Sequence, residues 1–322
     1  MRLGLIFLNW FVVLNACFLF SPAVFAEKFD RLIVFGDSLS DVGTYSEIAS
    51  KEGGGKFTTN PGLLWIENIA KNMSLSTVPY IHEGFAKPAK LQGGFNYAQG
   101  GARLTALAGS ASTFTARSLS YQFDQFIKEN KEFKSTDIVF VQGGANDISS
   151  LLRDIRNKTT TPEKAIKSAV LLADDFVKLL VKINSAKAKS IVVLNLPAME
   201  LAPSIQALDP LIQNLVAAMV KEFNQELSSK LSTENFYLVD VNQFDKTVND
   251  NYKQYGLTNV KLPACRLADL PQRSSLFCTG KNLSEPTAGE KYKFADELHP
   301  TTGYSKIVGD FIWSNIKPKF KL

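Results

Sequence analysis

The chain contains only two histidines, and one of them, His299, follows an aspartate by three residues in Asp296-Glu297-Leu298-His299-Pro300-Thr301. An imidazole that takes a proton from a hydroxyl needs a carboxylate on its other ring nitrogen to fix its tautomer. Asp296 can supply that carboxylate from the same loop. A matching nucleophile stands near the other end of the chain, in Gly36-Asp37-Ser38-Leu39-Ser40-Asp41. A serine at such a turn can present its hydroxyl and also donate its own N–H to a developing oxyanion. Ser38 followed by Asp41 fits a helix capping box equally well, so this block alone does not decide the matter. The second histidine, His82, has only Glu83 beside it and follows Val78-Pro79-Tyr80-Ile81, which points to a surface or packing role. A serine hydrolase built on this chain would use His299 as its base.

Two further blocks offer oxyanion donors. Gly93-Gly94-Phe95-Asn96-Tyr97-Ala98-Gln99-Gly100-Gly101-Ala102-Arg103 is a strand-like piece running into paired glycines. Such glycines let backbone approach a reacting group closely, and they also simply turn loops. Gly143-Gly144-Ala145-Asn146-Asp147 places a side-chain amide where it can donate to an oxyanion. Asparagine is also a common residue of strand-to-helix turns. Three cysteines without a CxxC pair, together with two histidines, leave little material for a zinc-type centre, so neither metal nor cofactor is expected. The net charge of +5 comes without a long run of Lys and Arg. That balance argues against nucleic acid as a partner and leaves weak attraction to an anionic membrane surface.

These residues need a scaffold, and the 322-residue chain, 45% hydrophobic and 21% charged, has the composition of a folded protein. Apolar runs at 31–35, 137–142, 190–195 and 235–240 read as buried strands, the first two running straight into glycine turns. Between them, helices are expected over 63–72, from Pro162 to about Ile183, over 211–231 and over 302–316. The alternation predicts an α/β protein whose mostly parallel sheet is covered on both faces. Residues 1–26 read as a secretory signal: Arg2, then an apolar run from Leu3 to Phe20, then Val24-Phe25-Ala26. An uncleaved membrane anchor is the alternative. Export to the periplasm or beyond is therefore expected, with residues 27–322 as a single domain. The remaining cysteines, Cys265 and Cys278, would most simply form one disulfide, worth about 3 kcal/mol in the chain-entropy model. They lie in an irregular stretch, about 245–290, whose length and position suggest a lid. Asn72, Asn157 and Asn282 head glycosylation triplets that matter only in a eukaryotic secretory route.

Taken together, the four blocks resemble the GDSL lipase group of the SGNH hydrolase superfamily, in the right order from Gly36 to Pro300. The resemblance implies a flavodoxin-like three-layer α/β/α fold with a central sheet of about five strands. It also implies a Ser–His–Asp hydrolase without metal: Ser38 as nucleophile, His299 as base and Asp296 as orienting carboxylate. The oxyanion donors would be the N–H groups of Ser38 and Gly100, with Gly101 as the nearby alternative, and the amide of Asn146. No Gly-x-Ser-x-Gly elbow occurs, which counts against the α/β-hydrolase fold. Lys56-Phe57-Thr58-Thr59-Asn60-Pro61-Gly62-Leu63-Leu64-Trp65 looks like the "RFSNGPVW" segment of bacterial secreted phospholipases and acyltransferases. The Cys265–Cys278 loop fits that branch too, which is similar to the secreted lysophospholipase A type known from Legionella and to glycerophospholipid–cholesterol acyltransferases. Expected partners are thus a phospholipid or lysophospholipid at a membrane or micelle surface, and cholesterol as acyl acceptor. A short-chain carboxylesterase or carbohydrate O-acetylesterase would use the same four blocks.

Overall fold

Four short runs rich in β-branched and aromatic residues form the central sheet. They are β1 (Arg31–Phe35), β4 (Asp137–Gln142), β5 (Ser190–Leu194) and β6 (Phe236–Val239), ordered β1-β4-β5-β6 and all parallel. Pairing brings Ile33 opposite Val139 and Val139 opposite Ile191. The runs are continuously apolar because both faces are covered, so no polar alternation is needed. The structure is a computed structural model and describes residues 28–84, 87–105, 116–231 and 235–322. The signal segment expected at 1–26 lies outside the described residues.

A fifth strand, where Phe95 to Tyr97 runs beside β1, is reduced to a single bridge. Val34 donates its N–H to Phe95 C=O at 3.0 Å and accepts the Tyr97 N–H at 2.9 Å. Gln99 N–H still donates to Gly36 C=O at 3.1 Å, and beyond it the chain turns away, Ala102 N–H folding back onto Gln99 C=O. Two antiparallel strands, β2 (Ile81–Gly84) and β3 (Lys87–Leu91), form a separate hairpin, and β7 (Asn259–Pro263) pairs with β8 (Tyr292–Phe294).

Side chains alternate across the sheet and divide the core in two. On one face Ile33, Phe35, Val139, Val141, Ile191 and Val193 meet α2 (Leu119–Asn130), α4 (Pro162–Ser185) and α5 (Pro210–Lys230). On the other, Leu32, Val34, Ile138, Phe140, Val192 and Leu194 meet α1 (Trp65–Asn72) and α7 (Thr302–Lys319). Two helices continue from sheet strands, α3 (Ala145–Arg156) and α6 (Val241–Asp250). The helix starts follow their caps: Thr161 Oγ1 accepts the Lys164 N–H and Asp209 the Leu211 N–H, each with proline next in line. Among the described residues no helix is long and apolar enough to cross a membrane.

The stretch from 245 to 290 starts inside α6, contains β7 and proceeds through short 3₁₀ turns. Cys265 and Cys278 are disulfide-bonded with their Cα atoms 6.1 Å apart. The end of the segment between them is packed inward, with Ser275, Leu276 and Cys278 fully buried, while Arg266, Ala268, Asp269 and residues 271–273 are exposed. Phe140, on β4, is fully buried between the sheet and α1 and stacks edge-on against Trp65. Phe140→Ala should cost about 3–5 kcal/mol, read as a fall in Tm and in denaturant midpoint; a loss under 1 kcal/mol would mean that this layer does not hold the sheet.

Candidate active site

Ser38 follows β1 and Asn146 follows β4, so both stand at the carboxyl edge of the sheet, where open α/β folds bind ligands. Ser38 does not begin a helix. Residues 37–40 form a turn, pinned on both sides by Gln142: its Nε2 donates to Asp37 Oδ2 and its Oε1 accepts from Ser40 Oγ, each at 3.0 Å. The proposed capping partner Asp41 instead turns inward and accepts the N–H groups of Gly43, Thr44 and Gly100.

His299 comes to Ser38 from the opposite end of the chain. After β8, the backbone closes a tight turn in which Ala295 N–H donates to His299 C=O at 2.7 Å. Inside the turn, Asp296 accepts the N–H groups of Leu298 and His299 on Oδ1 at 2.8 and 2.7 Å. Its Oδ2 lies 2.8 Å from His299 Nδ1, and His299 Nε2 lies 2.9 Å from Ser38 Oγ. The network assigns the ring proton to Nδ1, which leaves Nε2 to accept from the serine. The Phe57 ring, 4.9 Å away centroid to centroid, packs against the imidazole. Burial alone would raise the Asp296 carboxyl. The charge of His299 and hydrogen bonds from His299 and Ser275 outweigh it and hold the group well below the usual carboxylate range.

Ser275 also gives its backbone N–H to Asp296 Oδ2 at 2.7 Å, from inside the disulfide loop. Asn60, from the segment between the first two blocks, accepts the Lys56 N–H on Oδ1 at 3.0 Å and donates its side-chain amide to Ser275 and Cys278 C=O, both at 3.1 Å. Loop 265–278 therefore braces the triad carboxylate from behind. Of the irregular stretch 245–290, only Asp245 lines the cleft beside Ser38.

The oxyanion donors divide. The amide of Asn146 gives one proton to Ala102 C=O at 2.9 Å and retains a second. The N–H of Ser38 has no acceptor within the described protein. The Gly100 N–H is not free: it donates to Asp41 Oδ2 at 2.9 Å, which corrects the expectation for that residue. Gly101 carries the alternative, its N–H unengaged within the described residues and its φ of +85° in the region that favours glycine. Gly100 is needed for a different reason, since a Cβ there would meet the Phe57 ring at 2.3 Å. Asp147 ties this block to α3 by accepting from Arg103 Nε and Leu104 N–H. His82 sits on β2, 3.1 Å from Ser46 Oγ, in a packing role away from the triad.

Ser38 opens into a cleft of about 120 Å³ whose walls include Leu39, Leu194, Met199, Val241, Leu298 and Val308. Among the described residues no cluster of His, Cys, Asp and Glu could hold a metal ion. A serine, an imidazole and a buried carboxylate in hydrogen-bonded series, beside amide donors at a sheet's carboxyl edge, are the parts of an acyl-transferring hydrolase.

Comparison with known proteins agrees in class. The profile of the GDSL-like lipase/acylhydrolase family matches residues 32–312, and the chain belongs to that family. It is a hydrolase of the GDSL esterase/lipase kind. A GDSL esterase/lipase of Arabidopsis thaliana is 25% identical over 94% of this chain and 92% of its own length. The thermolabile hemolysin of Vibrio parahaemolyticus is 24% identical over 88% of this chain, which spans 63% of that protein. Among solved structures, the lipase Lip_vut3 from a goat rumen metagenome aligns over 88% of this chain and 96% of its own, at 13% identity and a TM-score of 0.49.

Burial raises both Asp37 and Asp41 from 3.8 to about 6, against the hydrogen bonds that lower them. A carboxyl raised on folding stabilises fully below its unfolded value, and that contribution is lost as pH rises through the folded value. Asp296 has the opposite sign, but its contribution is lost only below about pH 4. Thermal unfolding should therefore show a higher Tm at pH 5 than at pH 7.5, with each carboxyl worth on the order of 2 kcal/mol. A Tm that falls steadily from pH 7.5 to 5 would contradict the buried placement of this pair.

Proposed function

We propose that the protein releases fatty acid from lysophospholipids and phospholipids through an acyl-enzyme on Ser38, with acyl transfer to a sterol as the competing fate of that intermediate. The observation that carries the reading is the hydrogen-bonded series Ser38–His299–Asp296 opening into a cleft with mostly apolar walls. Such walls suit an acyl chain, and Leu298, next to the base, exposes 41% of its surface at the cleft, which suits a lipid surface.

In this mechanism Ser38 Oγ passes its proton to His299 Nε2 as it bonds to the ester carbonyl carbon. The oxyanion is held by Ser38 N–H, Gly101 N–H and Asn146 Nδ2. As the intermediate collapses, Nε2 returns the proton to the leaving alkoxide. Water, deprotonated by the same nitrogen, then attacks the acyl-enzyme and regenerates Ser38. Asp296 stays ionised throughout and stabilises the imidazolium at each proton transfer.

The test is fatty-acid release from lysophosphatidylcholine by wild type and Ser38→Ala, beside a short-chain nitrophenyl ester and with cholesterol added in a parallel series. Wild type should release fatty acid, and Ser38→Ala should lose at least about 10⁴-fold in kcat. Cholesteryl ester would mark transfer. Cleavage of the nitrophenyl ester alone would move the protein to a short-chain carboxylesterase or carbohydrate O-acetylesterase.

A further inference from the structure

The cleft is apolar near Leu194, Val241 and Val308, yet one part of its wall carries two buried polar side chains without hydrogen-bond partners. Lys293, on β8, is 1% exposed and lines the cleft. Its Nζ lies 2.8 Å from Asp245 Oδ1, an ion pair whose angles do not make a hydrogen bond. The rings of Phe294 and Tyr304 flank it at 5.1 and 5.3 Å. Ser305, on α7 and also 1% exposed, lines the same cleft, and its Oγ has no partner either. Asp245, by contrast, is well supplied, accepting from the Tyr304 hydroxyl and from Ala198 N–H.

Buried polar atoms are almost always hydrogen-bonded, because leaving one unpaired forfeits its hydration without return. Here both residues that carry such atoms line the cleft that Ser38 lines. We infer that Lys293 and Ser305 form a subsite that binds an uncharged hydroxyl group of the substrate, a proposal that rests on the hydrolase reading above. An anion suits the position poorly, because the Asp245 carboxylate already balances Lys293 from 2.8 Å away. A hydroxyl suits it on both counts: its oxygen accepts from the ammonium and its proton goes to Ser305 Oγ. The enzyme would then favour esters bearing a free hydroxyl over plain ones. That hydroxyl has two sources, the alcohol half of the ester, as in a monoacylated glycerol, or the acyl chain.

Two matched comparisons separate the sources: monooctanoylglycerol against propyl octanoate, and methyl octanoates hydroxylated at successive carbons against methyl octanoate. The wild type should favour the hydroxylated member of at least one set by about tenfold in kcat/KM, the worth of one to two hydrogen bonds. The set that shows it names the source. Ser305→Ala should bring that ratio close to one, with no fall in Tm, because the deleted Oγ holds nothing in the unliganded protein. Ser305→Cys, which keeps the bulk of the side chain, should reduce the ratio in the same direction. Equal rates within both sets, or a Ser305→Ala loss that is the same for both members of a set, would overturn the subsite while leaving the hydrolase intact. Wild type that cleaves none of the esters, propyl octanoate included, would overturn the hydrolase reading and the subsite with it.

Discussion

A buried carboxylate is costly unless donors surround it, and the whole site is arranged around one that is fully met. Asp296 receives Leu298 N–H, His299 N–H, the His299 ring and Ser275 N–H. Three of these come from its own turn and one from the disulfide loop. The first three set the direction of the imidazole, since the same carboxylate that accepts from the ring also holds the backbone beneath it. The fourth links the triad to residues 265–278, and Asn60 carries that link on to the Lys56–Trp65 segment. Three distant parts of the sequence are thus mechanically one unit behind His299.

On the nucleophile side, glutamine and aspartate play the corresponding part. Gln142 holds the Ser38 turn to the end of β4, and Asp41 gathers three backbone N–H groups, including that of Gly100. Taking the Gly100 N–H out of service fixes the paired-glycine loop against the Ser38 turn and leaves the Gly101 N–H unengaged among the described residues. Asp147 does the same for Asn146 by tying Arg103 and Leu104 to the start of α3. Both carboxylates are buried and both have raised pKa values. Rigidity at the oxyanion site is therefore obtained at the cost of keeping charge in a dry environment.

The strands were legible because a sheet covered on both faces writes itself as unbroken apolar runs, as in Asp137–Gln142 and Ser190–Leu194. His299 and Asp296 were legible because histidine is so scarce here that the choice nearly made itself. Phe95 to Tyr97 has strand composition and lies beside β1, but paired glycines and a turn limit it to one bridge with that strand. Gly100 and Gly101 could not be separated from sequence, since which N–H is free depends on an aspartate 59 residues away. Ser275 left no trace at all, because what it contributes is a backbone N–H that any non-proline residue has. The lid expectation rested on the loop's length, cysteines and position, none of which says which side of a loop is buried. Lys293 and Ser305 likewise look like ordinary surface residues until the packing of β8 against α7 turns them inward.

The central claim is that Ser38 is the atom to which acyl groups are transferred. Intact-mass and peptide mass spectrometry after reaction with a fluorophosphonate tests it most directly. The account predicts a single adduct, located on the peptide containing Ser38, absent in Ser38→Ala and strongly slowed in His299→Ala. An adduct on another serine, or full ester turnover by protein that has taken up no label at Ser38, would contradict it.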